Sequence, residues 1–343
     1  MPIALQTAVS LGPSAAKHQS HFQIRGMNPM TLTPRRWLRI PGLLACGFIG
    51  TSGQWSGSQA EATGPRIEGS AFEAAILERS AAGTGTPESA LREDARVRAF
   101  LRAYGSLIDS VTYSDGDAVF SLAGRAIHFQ DGRMLAEERL GSRDGCDPIF
   151  YRYSLEPLTE PVAPSDETVR YCTDVQEALW GRTEDQIRAH AGSTTFLDRR
   201  MFLNDLVIQA LGEVERDVLS VAADDRAVAS WIDDVDITYS FINRGIAGTA
   251  IRSQHAWGLA VDLVPSSYEG RQVYWRWSRA WNRHGWHRTP LEQRWSPPET
   301  VVAIFERHGF VWGGKWAHFD NIHFEYRPEI LEYNRLIEAD GQE

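Results

Sequence analysis

The first sixty residues contain no aspartate or glutamate, although they carry Lys17, Arg25, Arg35, Arg36 and Arg39. With that +5 set aside from the net charge of -10 of the 343-residue chain, residues 61–343 stand at -15. So acidic a body argues against nucleic acid as a partner, since phosphate backbones are held by a surplus of basic side chains. Long apolar runs are missing too. The candidate Ile40-Pro-Gly-Leu-Leu-Ala-Cys46-Gly-Phe-Ile-Gly50 is too short to cross a bilayer as a stable helix, so no membrane span is expected. Cysteine is limited to Cys46, Cys146 and Cys172. If Cys46 belongs to a leader, the other two can pair in an oxidising compartment or remain two buried thiols. No internal repeat is visible. Nothing like a Gly-x-Ser-x-Gly elbow surrounds Ser253, which argues against a serine nucleophile there.

The chain has 43% hydrophobic residues, enough for the core of one large domain or two ordinary ones. Residues 1–50 read as an export leader or a basic disordered segment, because Arg35, Arg36 and Arg39 precede the short apolar run. Leu43-Leu44-Ala45-Cys46 is similar to a lipoprotein processing site, which would make Cys46 a lipid anchor, and Arg35-Arg36 hints at twin-arginine export. The place of action is then the cell envelope, periplasmic or secreted. Residues 51–87, rich in Gly, Ser, Ala and Thr, suit a flexible tether with a short helix near 71–80. Residues 88–195 form an accessory region, a helix up to Tyr104 followed by a small strand-rich unit, and residues 196–343 form the catalytic candidate.

Helical spacing predicts one long amphipathic helix over residues 198–222, further helices over 271–284, 298–308 and 328–339, and a strand over 236–242. Residues 118–129 partly alternate as a strand that Asp131-Gly132 closes. Trp277 and Trp281, four apart on the second of these helices, are expected in the core. Strands framed by helices without regular alternation give an α+β class: a small antiparallel sheet flanked by helices, with an N-terminal strand-rich extension.

Two short apolar segments carry histidine beside carboxylate: Arg252-Ser253-Gln254-His255-Ala256-Trp257-Gly258-Leu259-Ala260-Val261-Asp262-Leu263 and Trp316-Ala317-His318-Phe319-Asp320-Asn321-Ile322-His323-Phe324-Glu325-Tyr326. A polar group buried without a partner is costly, and a shared metal ion removes that cost. On a strand from Leu259, Asp262 emerges from an otherwise apolar run, and His323 shares a face with Glu325. Two imidazoles and one carboxylate suit catalytic zinc, which keeps a fourth position for water. A further carboxylate must then move the water's proton, and Asp320 is the choice. Glu325 is expected to hold a ligand imidazole in its tautomer, or to form an ion pair at the core edge. Ser253 braces the His255 loop or is an ordinary loop serine. Trp257 and Trp316 flank the motifs and could wall a substrate groove.

The run Ser253-x-His255-x-x-Gly258-x-Ala260-x-Asp262, with Asp320-x-x-His323-Phe324-Glu325 downstream, resembles the LAS-type zinc peptidases. These include VanY-like D-alanyl-D-alanine carboxypeptidases and L-alanyl-D-glutamate endopeptidases. The resemblance covers roughly residues 200–338. It implies the D-Ala-D-Ala peptidase-like zinc fold, with His255, Asp262 and His323 as ligands of Zn2+, Asp320 as general base, and peptidoglycan stem peptides as substrate. Asn243-Arg244-Gly245-Ile246-Ala247-Gly248-Thr249 looks like the family's arginine loop, so Arg244 would orient the peptide and stabilise the oxyanion. Asn243 replaces a cysteine found in some relatives, and aspartate at 320 replaces the glutamate of many members. A second reading is a cell-wall-binding or signalling module that keeps the fold without turnover; the intact acid at 320 counts against it.

Overall fold

The computed structural model describes residues 87–114, 116–163, 171–246 and 251–341, all within a compact unit spanning Glu61–Glu343. The expected leader with Cys46, the expected tether up to residue 86 and residues 247–250 of the expected arginine loop lie outside the described residues.

Two helices come first, α1 (Pro87–Glu93) and α2 (Ala95–Tyr104). Asp94 separates them and caps α2 by accepting a hydrogen bond from the Arg96 amide at 2.8 Å. A four-stranded antiparallel meander follows: β1 (Ile108–Ser114), β2 (Asp117–Leu122), β3 (Arg125–Gln130) and β4 (Arg133–Ala136). The single strand expected over 118–129 is a hairpin instead. Ala123 and Gly124 both take positive φ, the two-residue turn that matches strand twist. Helices α3 (Asp174–Trp180) and α4 (Glu184–Arg188) lead to the hairpin β5 (Ala191–Phe196) and β6 (Arg199–Asn204).

The helix α5 (Asp205–Ala222) starts seven residues later than its spacing suggested. Leu197 and Asp198 are left-handed and turn the chain into β6, where Met201 and Leu203 alternate inward. Asn204 then caps the helix through its side chain. Helix α6 (Arg226–Asp234) and strand β7 (Val235–Tyr239) precede β8 (Ala260–Pro265). Helix α7 (Trp275–Trp281) is shorter than the segment 271–284 predicted, because Gln272 is held extended by backbone bonds with Gln293 and Trp295, and Asn282 leaves helical geometry. The chain closes with α8 (Glu299–Arg307), β9 (Phe310–Trp312), β10 (His323–Tyr326) and α9 (Pro328–Ala339).

The architecture is thus α+β with small antiparallel sheets, among them β7-β8-β10-β9. Phe324 turns to the helix side of this sheet and stacks on Phe305 of α8 with ring centroids 4.0 Å apart. One hydrophobic core runs from Val97 and Phe100 of α2 through Phe120 and Phe129 of the meander to Val261, Phe305 and Leu336. Cys146 and Cys172 are joined as a disulfide. No helix among the described residues is long and apolar enough to cross a membrane.

Candidate metal centre

Strands β8 and β10 pair antiparallel with Asp262 directly opposite His323 and Ala260 opposite Glu325. Residues in register on one face of a sheet are neighbours, so pairing alone sets this carboxylate beside this imidazole. His255 arrives from a single 3-10 turn, Gln254–Trp257, that ends at Gly258. Gly258 has φ +68°, and a Cβ there would lie 2.6 Å from the Asn204 amide nitrogen. Only glycine combines that conformation with so close an approach. The Asn204 amide in turn donates to the Gly258 carbonyl at 3.1 Å, which ties the turn to the end of β6.

The three side chains converge. His255 Nε2 lies 3.2 Å from Asp262 Oδ1, His323 Nδ1 lies 2.8 Å from the same oxygen, and the two ring nitrogens are 3.3 Å apart. One ligand atom from each residue fits within 4.8 Å of the others. Their tautomers follow from the outer bonds. His255 Nδ1 faces the Ser240 carbonyl at 2.6 Å, and a carbonyl only accepts, so Nδ1 carries the proton and Nε2 offers its lone pair inward. His323 Nε2 faces Glu325 Oε2 at 3.3 Å, which aims Nδ1 inward.

Two inward lone pairs and a shared carboxylate oxygen repel one another unless a cation or a proton stands between them. Burial alone would lower the His323 pKa, but its hydrogen bonds to Asp262 and Glu325 outweigh burial and push it up to about 10. Burial acts to raise Asp262, yet its bonds to His255 and His323 hold it well below the usual carboxylate range. This donor set of two nitrogens and one oxygen, oriented from behind, fits a divalent cation such as zinc.

Behind the cluster lies a chain of buried charges. Glu325 Oε1 accepts from Arg327 Nη1 at 3.0 Å, Arg327 Nε donates to Glu329 Oε1 at 2.5 Å, and Tyr104 Oη donates to Glu329 Oε2 at 2.8 Å. Arg327 also donates to the Ile149 carbonyl at 3.3 Å. Despite burial, the bonds to His323 and Arg327 hold Glu325 below its ordinary pKa. The path links His323 to α2 and to the segment beside the disulfide. It was overlooked in the sequence, although Glu325-x-Arg327-x-Glu329 in an apolar context is a visible signal.

Asp320 stands at the entry to β10. Its amide donates to the Gly313 carbonyl at 3.0 Å, and a Cβ on Gly313 would lie 2.6 Å from the Asp320 carbonyl oxygen, so the Gly313-Gly314 turn packs the two backbones together. Asp320 Oδ1 is buried with no hydrogen-bond partner among the described residues. Burial pushes its pKa up to about 6, with a further rise from the Asp262 charge and an opposing pull from His323.

The remaining candidates divide. Trp316 packs against His323, ring centroids 5.4 Å apart, and donates to Tyr151 Oη at 3.2 Å. Trp257 does not wall a groove: it is fully buried, and its indole N–H donates to the Gly181 carbonyl at 3.1 Å. Ser253 braces the turn through its main chain, donating to the Arg244 carbonyl and accepting from the Ala256 amide. Arg244 is exposed, and its charge reaches the Tyr274 hydroxyl. His318 is outside the cluster, stacked on Trp286.

No curated protein and no solved structure matches this chain. The segment holding the 3-10 turn, β8, β9 and β10 does have a match, a family model described as D-alanyl-D-alanine carboxypeptidase, over residues 247–326. That segment, which contains His255, Asp262, Asp320 and His323, is similar to this peptidase family, the one the two motifs resemble.

Proposed function

We propose that this protein is a zinc-dependent peptidase of the D-Ala-D-Ala peptidase-like fold that hydrolyses peptidoglycan stem peptides, as a D-alanyl-D-alanine carboxypeptidase or an L-Ala-D-Glu endopeptidase. The observation that carries the reading is the convergence of His255, Asp262 and His323 on one point with a buried carboxylate, Asp320, at the entry to the same strand. His255 Nε2, Asp262 Oδ1 and His323 Nδ1 would hold the ion. When bound, zinc supplies Lewis acidity, lowering the pKa of water and polarising the scissile carbonyl.

The chain's own residues do the rest. Asp320 takes a proton from the attacking water and returns it to the leaving amine, a task suited to a carboxyl that burial raises to about 6. Arg244, a fixed charge with forked donors, orients the substrate carboxylate or carbonyl. Glu325 and the Ser240 carbonyl keep both imidazoles aimed, and Trp316 limits water on the His323 side. We place the protein in the cell envelope, periplasmic or secreted, in keeping with the Cys146–Cys172 disulfide.

Cleavage is tested by mass spectrometry of fragments from defined muropeptides. Loss of a terminal D-alanine or scission after L-alanine, abolished by chelator and restored by zinc, is expected; intact muropeptides under all conditions contradict the reading. A second result concerns protons. Because His323 holds its proton up to about pH 10 without a cation, zinc binding at pH 7 should release about one proton. Apparent affinity should then rise about tenfold per pH unit across neutrality. Calorimetry in buffers of different ionisation enthalpy measures this; no buffer dependence would refute the assignment of His323 Nδ1.

A further inference from the structure

The tryptophans expected in the core at positions 277 and 281 are on the surface. Trp277 is 51% exposed and Trp281 86%. Four residues apart on α7, they share one face about 6 Å apart along the helix axis. Side chains so large and apolar are rarely left in water without a use.

The face is continuous with the metal centre. Tyr274, at the N-terminus of α7, makes a β-bridge to Asp320, and the Trp275 amide donates to the Phe319 carbonyl at 2.9 Å. Trp277 packs edge-on against Tyr274 and Tyr268, with centroids 6.0 and 6.2 Å away. The charges of Asp320 and Asp262 act on both tyrosine hydroxyls. Tyr239 of β7 lies directly across the strand from Asp262 and is 46% exposed. A row of aromatic side chains therefore runs from Tyr239 on the sheet edge, through Tyr268 and Tyr274 beside the centre, onto α7. Its charge is opposite to that of the body: residues 271–288 carry Arg271, Arg276, Arg279, Arg283 and Arg288 and no acid, on a chain at -15 beyond residue 60.

We propose that this aromatic and basic face docks the glycan strand to which the stem peptide is attached, so that the preferred substrate is polymeric wall material rather than a free peptide. The inference rests on the peptidase reading for the identity of the polymer. Flat aromatic rings stack on the C–H faces of sugar rings, while the exposed Arg279, Arg283 and Arg288 match the carboxylates of neighbouring stem peptides. Continuity with the metal centre selects a partner covalently joined to the scissile peptide over one bound elsewhere.

The test uses Trp277→Ala, Trp281→Ala and the double variant, surface changes that leave the core and the centre intact. Co-sedimentation with purified sacculi is measured in chelator, so that binding is read without cleavage; turnover is then compared on sacculi and on a sugar-free stem peptide. The double variant is expected to lose about tenfold in sacculus affinity and in turnover of sacculi, with sugar-free peptide turnover within twofold of wild type. Unchanged sacculus binding, or an equal loss on both substrates, overturns the proposal. Vesicles of anionic phospholipid form the third arm: tryptophan-dependent vesicle binding with undiminished sacculus binding assigns the face to a lipid surface and overturns it as well. If wild type cleaves neither substrate but binds sacculi through these tryptophans, the peptidase reading fails while the docking face stands.

Discussion

Asp320→Asn should remove turnover and at the same time make the protein more stable. Loss of a positioned general base costs about 10²–10⁴-fold in rate, and an amide cannot take the proton. The stability gain has a separate origin. Asp320 titrates near pH 6 in the folded protein, against an ordinary value of 3.8, because it is buried beside Asp262 and its Oδ1 has no partner among the described residues. A carboxyl raised on folding is ionised more readily in the unfolded chain. It therefore costs nothing below about pH 4, costs progressively more between pH 4 and 6, and reaches a constant penalty above. Two pKa units correspond to about 3 kcal/mol, so in chelator the variant should gain on the order of 2 kcal/mol at pH 7 and nothing at pH 3.5. Denaturant unfolding at the two pH values checks this, and an equal effect at both would show that the acid is not held as described.

Arg327→Met should have the largest structural effect. Arg327 is 5% exposed and stands between Glu325 and Glu329. Removing it leaves two buried carboxylates without the cation they share, a loss of about 3–5 kcal/mol. The same change leaves Glu325 without the bond that fixes it toward His323, so zinc affinity should fall about 10–100-fold. Pairing it with Glu329→Gln removes one of the stranded charges and should recover part of the stability but little of the affinity. Urea melts together with competitive zinc titration separate the two; full affinity in a destabilised Arg327→Met protein would show that the chain of charges only supports the fold.

The centre was legible because its chemistry is local. His255 and Asp262 lie seven residues apart on a turn and a strand, and the face shared by His323 and Glu325 follows from two-residue periodicity. The register that sets Asp262 against His323 needed only one antiparallel pairing. What failed depended on contacts distant in sequence or on single φ values. Met201, Phe202 and Leu206 fit a helical stripe, and only the left-handed Leu197 and Asp198 turn that stretch into a strand followed by a helix. Trp257 looked like a groove wall because it adjoins His255, but its partner is Gly181, 76 residues earlier. Trp277 and Trp281 showed core spacing, yet among the described residues both stay more than half exposed. Tyr104, in the region set apart as accessory, donates to Glu329 and so takes part in the charges behind His323.

Zinc content and turnover of purified wild type and His323→Ala, measured side by side, test the central claim most directly. One zinc per wild-type chain is expected, with release of a D-amino acid or peptide from stem peptides, and both should vanish in the variant while its fold persists by circular dichroism. A metal-free wild type that still cleaves, or a His323→Ala protein that keeps its zinc and its rate, would contradict the account.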